Sequence, residues 1–256
     1  MKRTGLLSLT LILTAVLLAS QGLAGIAHAS LDVEARVDVG QITVSIVLSN
    51  VNATLYERLL ASRPDFNNST IPEAIISYLS EQGVKDVYYR RPSLTFDNQT
   101  RTIRASFTLT GKGLVKFSYN KTTMARLYEV QAGWRKADVE IKHGRTVVLR
   151  LNFSSYFGAP LQKWEVVKYK NGTREALFLN STAEEGFDPA WYFVLPKDAK
   201  LVRASGDTFT FELPARPMDK FLASPFWPFI SVVVAVLMAV FYRKAAVKFV
   251  KPRVAA

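Results

Sequence analysis

Apolar residues recur at every second position in two runs near the start of the chain, Leu31 to Val39 and Ile42 to Leu48. This spacing places one set of side chains on a single face of an extended segment, so both runs are predicted to be β-strands. Gly40 lies between them and is typical of a tight turn. The two strands are therefore predicted to form a hairpin about Gly40.

The following segment changes to helical spacing. Two capping boxes, Thr54 to Glu57 and Thr70 to Glu73, predict a helix over Leu55–Ser62 and a second helix that ends at Gly83. The residues predicted to be buried on these helices are Leu55, Leu59, Ile75, Tyr78 and Leu79.

Short alternating runs return after Lys85, separated by turn residues. They predict strands at 87–91, 94–96, 103–109, 114–119, 191–195, 201–203 and 208–213. In the strand at 114–119, Val115, Phe117 and Tyr119 share one face, whereas Asn120 falls on the polar face.

Two further hairpins predict residue pairing. The Asn171-Gly172 turn predicts three opposite pairs: Lys168 with Glu175, Val166 with Leu177, and Trp164 with Leu179. A three-residue loop at 142–144 predicts the other hairpin, in which Val139 faces Val147 and Ala137 faces Leu149.

A run of 22 uncharged residues, Phe221 to Tyr242, follows the strands. As a helix it would be roughly 33 Å long, which is enough to cross a hydrocarbon core of about 30 Å, so it is predicted to be a transmembrane helix. A passive anchor is one interpretation of this helix. The other is helix packing, because Ser231, Ala235 and Ala239 form a stripe of small residues that lets a second helix approach closely.

The two ends of the chain predict its orientation. Lys2 and Arg3 precede an apolar segment, and Ala27-His28-Ala29 has small residues where a signal peptidase cleaves, so residues 1–29 are predicted to be a signal peptide. An uncleaved anchor is the alternative. Five basic residues and no acidic residue follow Tyr242, which favours a cytoplasmic C-terminus and a single-pass chain with its N-terminus outside.

Asparagine usage is the most specific signal in the sequence. Of nine Asn, eight begin an Asn-x-Ser/Thr sequon, although the Ser and Thr content predicts only one or two by chance. The excess predicts a glycosylated cell surface. The predicted glycosylation sites are Asn52, Asn67, Asn68, Asn98, Asn120, Asn152, Asn171 and Asn180.

These features predict a mainly β (α+β) fold, with an antiparallel, sandwich-like extracellular domain, two short helices near its N-terminus and one C-terminal transmembrane helix. The predicted order is a signal peptide at 1–29, a strand-helix-helix-strand segment at 30–91, an antiparallel β region at 92–213, a short stalk at 214–220, the transmembrane helix at 221–242 and a basic cytoplasmic tail at 243–256.

Composition narrows the candidate partners and the compartment. Once the signal peptide and the basic tail are set aside, the net charge of +12 becomes 12 − 2 − 5 = +5 for the outer domain, which does not indicate a nucleic-acid partner. The chain has no cysteine, and dense sequons without disulfides favour a prokaryotic, archaeal-like cell envelope. Membrane lipid and a transmembrane or envelope protein are the expected partners.

Few residues suggest catalysis, so the protein is predicted not to be an enzyme and to use no cofactor or metal. His143 is the only histidine after the predicted signal peptide and lies in a predicted turn, which excludes multi-histidine metal sites and argues against a Ser-His-Asp triad in the mature chain. The acidic candidates for hydrolysis are Glu184, Glu185 and Asp188, beside Trp191 and Tyr192. Three tryptophans have two interpretations, either as a carbohydrate-binding platform or as core packing residues: Trp134, Trp164 and Trp191.

The sequence therefore favours a single-pass, N-glycosylated surface protein that acts through interactions, as an envelope component or as an accessory subunit of a membrane complex. A membrane-anchored carbohydrate or peptide receptor is the first alternative. A membrane-tethered hydrolase that uses carboxylates is the second.

Overall fold

The computed structural model of this chain describes residues 29–120, 122–161, 165–168, 175–180, 187–222 and 227–249. The predicted signal peptide, except Ala29, lies outside these residues, and so do Trp164, Asn171, Glu184 and Glu185.

The fold is mainly β, as predicted, and contains thirteen strands among the described residues. The strands are β1 (Ala29–Asp38), β2 (Gln41–Ser49), β3 (Tyr88–Asp97), β4 (Thr102–Thr110), β5 (Val115–Tyr119), β6 (Arg126–Gln131), β7 (Val139–His143), β8 (Thr146–Leu151), β9 (Glu165–Lys168), β10 (Glu175–Asn180), β11 (Phe187–Val194), β12 (Lys200–Ser205) and β13 (Thr208–Leu213). The helices are α1 (Ala53–Ala61), α2 (Thr70–Glu81), α3 (Phe153–Phe157), α4 (Pro217–Leu222) and α5 (Trp227–Phe249), with a 3₁₀ turn at Gly133–Lys136.

The strands form a seven-stranded sheet in the order β3-β4-β2-β1-β11-β10-β9, a four-stranded sheet in the order β12-β13-β6-β5 and the β7–β8 hairpin. The prediction of an antiparallel domain is wrong for one pair of strands: β1 and β11 are parallel, with Val33 opposite Trp191. Alternation along a strand indicates which residues share a face, but it does not indicate which strand lies alongside.

Two hairpins of the large sheet, β1–β2 at its centre and β9–β10 at one edge, agree with the sequence. Asp38 pairs with Gln41, which leaves a two-residue turn in which Gly40 has φ of +81°. In β9–β10, Lys168 pairs with Glu175 and Val166 pairs with Leu177, as predicted. The third predicted pair contains Trp164 and lies outside the described residues.

The predicted register of β7–β8 is wrong. Val139 faces Leu151 rather than Val147, and Ala137 precedes the strand instead of facing Leu149. An irregularity between Ile141 and Lys142 shifts the register. Val139, Ile141, Leu149 and Leu151 are buried before it, whereas Lys142 and Val147 beyond it are exposed. The turn is also held by a distant contact, the 2.7 Å hydrogen bond from the Gly144 N–H to Asp65 Oδ2, which local sequence does not reveal.

Both early helices are present, but their caps differ from the prediction. Asn52, not Thr54, caps α1 by accepting a hydrogen bond of 2.8 Å from the Leu55 N–H. Ser69, not Thr70, is the N-cap residue of α2. Among the predicted buried residues, Leu59, Ile75 and Leu79 are confirmed as buried, whereas Leu55 and Tyr78 are half-buried.

Two predicted strands at 87–91 and 94–96 are one strand, β3, with an irregularity between Arg90 and Ser93. Pro92 falls inside this irregularity, and β3 lies at the edge of its sheet, where a missing N–H costs least. Gly111 and Gly113 lie in the connection between β4 and β5, and a Cβ at Gly111 would lie 1.8 Å from the Asp86 carbonyl oxygen.

An aromatic cluster forms the centre of the core. The ring of Trp191 lies 5.1 Å from Trp134, 5.0 Å from Phe157 and 5.6 Å from Phe193, and all four side chains are buried. Phe193 in turn lies 5.3 Å from Phe209 on β13, so this cluster joins the seven-stranded sheet to the four-stranded sheet.

One charged side chain, Arg135, is fully buried beside this core. It donates hydrogen bonds to the carbonyls of Phe157 and Ala159 and forms an ion pair of 2.9 Å with Asp207. Burial lowers the pKa of Arg135, and the Asp207 charge opposes that effect. Burial acts to raise the pKa of Asp207, but a hydrogen bond from Lys136 and the charge of Arg135 outweigh it, so the pKa lies below its usual value.

The C-terminal elements differ in extent from their prediction. Part of the predicted stalk, 214–220, is helical, because α4 begins at Pro217. The predicted helix 221–242 corresponds to the end of α4 and to α5, which begins at Trp227 and continues to Phe249. Across the residues that the structure describes, no helix combines the length and the apolar character that a membrane span requires.

Candidate interaction surface

The predicted glycosylation sites whose side chains are described lie at the surface, at the ends of helices and strands. Asn52, Asn67, Asn68 and Asn98 are exposed. Asn120 and Asn152 are half-buried. Asn180 ends β10, and Asn171 lies outside the described residues.

In four of these asparagines the side-chain carbonyl oxygen accepts a hydrogen bond. The bonds come from the Leu55 N–H to Asn52 (2.8 Å), from the Ser69 N–H to Asn67 (2.9 Å), from the Thr122 N–H to Asn120 (3.0 Å) and from the Tyr56 hydroxyl to Asn98 (2.7 Å). An N-linked glycan is attached to the other atom of the amide, its nitrogen. Modification of these residues is therefore compatible with every one of these bonds.

Four of the sequons share one end of the seven-stranded sheet, which we call the Asn98 end. There β1 begins and β2 ends, and the β3–β4 turn that contains Asn98 lies beside them because Leu48 pairs with Ile103. Asn52 directly precedes α1, and the Tyr56 hydroxyl of α1 contacts Asn98. Asn67 and Asn68 line a cleft together with Phe96, which lies on β3 two residues before Asn98. The opposite end contains the Val39-Gly40 turn, and we call it the Gly40 end.

A cleft of about 350 Å³ opens at the Gly40 end. We call its rim the aromatic patch, which consists of Val39, Phe117, Tyr119, Arg126, Arg216 and Asp219. Val39, Phe117 and Tyr119 are 54%, 51% and 44% exposed, which is unusual for large apolar side chains that lie together. The patch combines an apolar surface with charged groups, and its residues come from three parts of the chain.

The strands hold the aromatic side chains of the patch in place. Phe117 lies on β5, at the edge of the four-stranded sheet, and its ring is 4.8 Å from Tyr119 and 5.2 Å from Tyr128. Tyr128 stacks on the buried Phe211 at 5.2 Å. A chain of aromatic contacts therefore connects the surface patch to the core.

Asp219 attaches α4 to this patch. Its carboxylate accepts a hydrogen bond of 3.0 Å from the Arg216 N–H and one of 3.4 Å from the Tyr119 hydroxyl. It also lies 3.9 Å from Arg126 Nε, and the Arg126 and Asp219 side chains are only 12% and 15% exposed. Arg126 donates a further bond of 3.2 Å to the Pro214 carbonyl. The segment that leads to α5 is thus held against the domain at the Gly40 end.

The sequence predicted the alternation of Val115, Phe117 and Tyr119 but not their exposure. A period of two identifies residues that share a face of a strand, but it does not show whether another element of the chain packs against that face. The contact between Arg126 and Asp219 could not be predicted from the sequence, because the two residues are 93 positions apart and neither belongs to a motif.

The candidate sites for hydrolysis and sugar binding find little support among the described residues. Trp134 and Trp191 are fully buried, so neither is accessible to a sugar ring and the prediction of core packing is confirmed for both. Asp188 is exposed on β11, but Glu184 and Glu185 are outside the described residues. Tyr192 is half-buried, and burial, with the charges of Asp32 and Asp188, raises its pKa.

Two other predicted features concern metals and helix packing. His143 is exposed at the end of β7, and the described part of the chain contains no cluster of three or more His, Asp or Glu that could hold a metal ion. Ser231, Ala235 and Ala239 are all exposed on α5, and the Ser231 hydroxyl donates a bond of 2.7 Å to the Pro228 carbonyl.

Comparison with known protein families, with curated proteins and with solved structures finds no match to this chain.

Proposed function

We propose that this chain is a single-pass, N-glycosylated cell-surface protein that acts through interactions, as an envelope component or as an accessory subunit of a membrane complex. The observation that carries the proposal is the distribution of the sequons. Eight of nine asparagines begin one, and each of the six whose side chains are described is exposed or half-buried. Selection for surface modification accounts for this pattern, whereas chance does not.

The proposed anchor is the uncharged run Phe221–Tyr242, of which 223–226 lie outside the described residues. In α5 the side chains from Ser231 to Arg243 are exposed, and the large ones up to Tyr242 are apolar. A helix that is apolar all round needs either a protein core or lipid around it. The basic residues after Tyr242 favour a cytoplasmic C-terminus, and the domain that carries the sequons would then lie outside.

Interaction is favoured over catalysis or sugar recognition because of what the domain exposes. The buried Trp134 and Trp191 leave the receptor and hydrolase alternatives without their best aromatic residues. The aromatic patch is exposed and rigidly supported. Membrane lipid and a transmembrane or envelope protein are the proposed partners, and Ser231, Ala235 and Ala239 are the proposed helix contact.

Substitution of Thr54 tests the glycosylation proposal without disturbing α1. Thr54→Ala destroys the Asn52 sequon but leaves the Asn52 cap, because the capping atom is Asn52 Oδ1. The expected result in the native host is the loss of one glycan from the intact mass and from the Asn52 peptide. Thr54→Ser should retain both the glycan and the cap. Unmodified asparagine at all eight sequons of the native protein would overturn the proposal.

Alkaline carbonate extraction tests the proposed anchor. The native chain is expected to stay in the membrane pellet. Val232→Lys combined with Val236→Lys should shift it to the soluble fraction, because each lysine costs about 2.5–3.5 kcal/mol near the centre of a bilayer. The matched control replaces the same two residues with leucine and should remain in the pellet. Release of the native chain by carbonate would contradict the proposal.

A further inference from the structure

The aromatic patch brings several exposed apolar side chains together on the surface of the β domain. In addition to Val39, Phe117 and Tyr119, Met218 on α4 is 63% exposed. Two exposed basic side chains accompany these residues: Arg216 lines the cleft, and Lys220 directly follows Asp219 in the sequence. Apolar and aromatic side chains next to cationic groups are typical of surfaces that contact the headgroup region of a bilayer.

The position of the patch along the chain brings it near the proposed anchor. Asp219 is held at the patch by Tyr119 and Arg126. The uncharged run begins at Phe221, two residues later, and α5 begins at Trp227, eight residues after Asp219. Even fully extended, these eight residues reach at most roughly 27 Å. An anchor that starts here leaves the Gly40 end little freedom to move away from the lipid.

We infer that the aromatic patch docks into the headgroup region of the bilayer that anchors the chain, so that the β domain lies against the membrane in one orientation. This inference rests on the membrane anchor under Proposed function. It selects lipid as the occupant because the tether is short and because Val39, Phe117, Tyr119 and Met218 combine with Arg216 and Lys220 in the chemistry of an interface.

The sequon positions agree with this orientation. Asn52, Asn67, Asn68 and Asn98 lie at the Asn98 end, away from the patch, where bulky glycans do not obstruct docking. Asn120 directly follows Tyr119, beyond the end of β5, and its side-chain oxygen accepts hydrogen bonds from the N–H groups of Thr122 and Thr123 in the following turn.

The test uses the full chain, which contains no cysteine and so accepts a single fluorescent label. An environment-sensitive dye is attached to Val39→Cys at the Gly40 end or to Gln99→Cys, an exposed position in the turn at the Asn98 end. The protein is placed in nanodiscs of phosphatidylcholine and phosphatidylglycerol, with or without a nitroxide on the headgroup. The dye at position 39 should shift to shorter wavelength and lose most of its emission to the nitroxide, whereas the dye at position 99 should not.

A substitution then separates docking from mere proximity. Phe117→Ser with Tyr119→Ser, in the Val39→Cys background, should lower the ratio of docked to undocked domain by about tenfold for each side chain and so abolish most of the quenching. The matched control is Val202→Ser, on β12 at the other edge of the same sheet and 55% exposed, which should leave the quenching unchanged. Thermal unfolding of each variant checks that the domain stays folded.

The outcomes distinguish this inference from the proposed function. A chain that carbonate extracts, or that fails to enter nanodiscs, overturns the anchor itself. A chain that remains in the bilayer while the dye at position 39 is unquenched overturns the docking alone. Quenching that persists in the doubly substituted chain also overturns it, because the tether would then suffice. A second copy of the chain could instead cover the patch and protect the dye from the nitroxide. Crosslinking between two chains in one nanodisc would detect this and would assign the patch to dimerisation.

Discussion

Replacement of Arg135 by methionine is expected to lower the free energy of unfolding by about 3–5 kcal/mol, a large part of the 5–15 kcal/mol that stabilises a typical domain. The guanidinium is fully buried and donates to the carbonyls of Ala132, Phe157 and Ala159. Methionine fills similar space but leaves those carbonyls without their donor and leaves Asp207 without its closest buried cation.

Urea denaturation followed by circular dichroism measures this effect, and Arg203→Met is the matched control. Arg203 lies on β12 and is exposed, so the same loss of charge there should change stability by no more than about 0.5 kcal/mol. Arg135→Lys should be intermediate at best, because an ammonium cannot reproduce the planar fork that reaches separate carbonyls. Equal stability of the Arg135 and Arg203 variants would show that the buried network contributes nothing.

Replacement of Trp191 by alanine should cost about 3–5 kcal/mol, because it leaves a cavity where the two larger β layers meet. The indole is fully buried and contacts Trp134, Phe157 and Phe193. The surrounding strands belong to the parallel β1–β11 pair and its neighbours, and they cannot move inward to fill the space without breaking their ladders.

Trp191→Phe is the matched variant for this prediction. Among the described residues the indole Nε1 of Trp191 has no hydrogen-bond acceptor, so loss of that N–H removes no bond. Phenylalanine should therefore retain much of the stability that alanine loses, as measured by the urea midpoint. If phenylalanine destabilised the protein as much as alanine, the indole N–H would have an essential partner and the packing explanation would be wrong.

The two ends of the domain have different surface chemistry. The Asn98 end contains four exposed sequons and the Gly40 end contains the aromatic patch. Arg126 and Asp219 attach the C-terminal segment at the second end. This asymmetry is the structural basis for the inference that the Gly40 end lies against the membrane.

Local sequence predicted the features that depend on neighbouring residues. Alternation identified most strands, Gly40 identified the first turn, and the Asn171-Gly172 turn predicted the pairing of Lys168 with Glu175. These succeed because a strand's face and a tight turn are properties of a few consecutive residues. The sequons and the uncharged run Phe221–Tyr242 are likewise visible without any structure.

Only the tertiary structure decided the features that depend on distant residues. The parallel pairing of β1 with β11, the shifted register of β7–β8 and the exposure of Phe117 were not predictable from their own segments. The sequence around Arg135 does not indicate that its side chain is buried, because its partner carbonyls, such as that of Phe157, come from distant parts of the chain. By itself the sequence determined where this protein can form strands and where its sequons lie. The choice of neighbouring strands and of which apolar faces remain uncovered came from long-range burial, because only the folded chain brings together groups far apart in sequence.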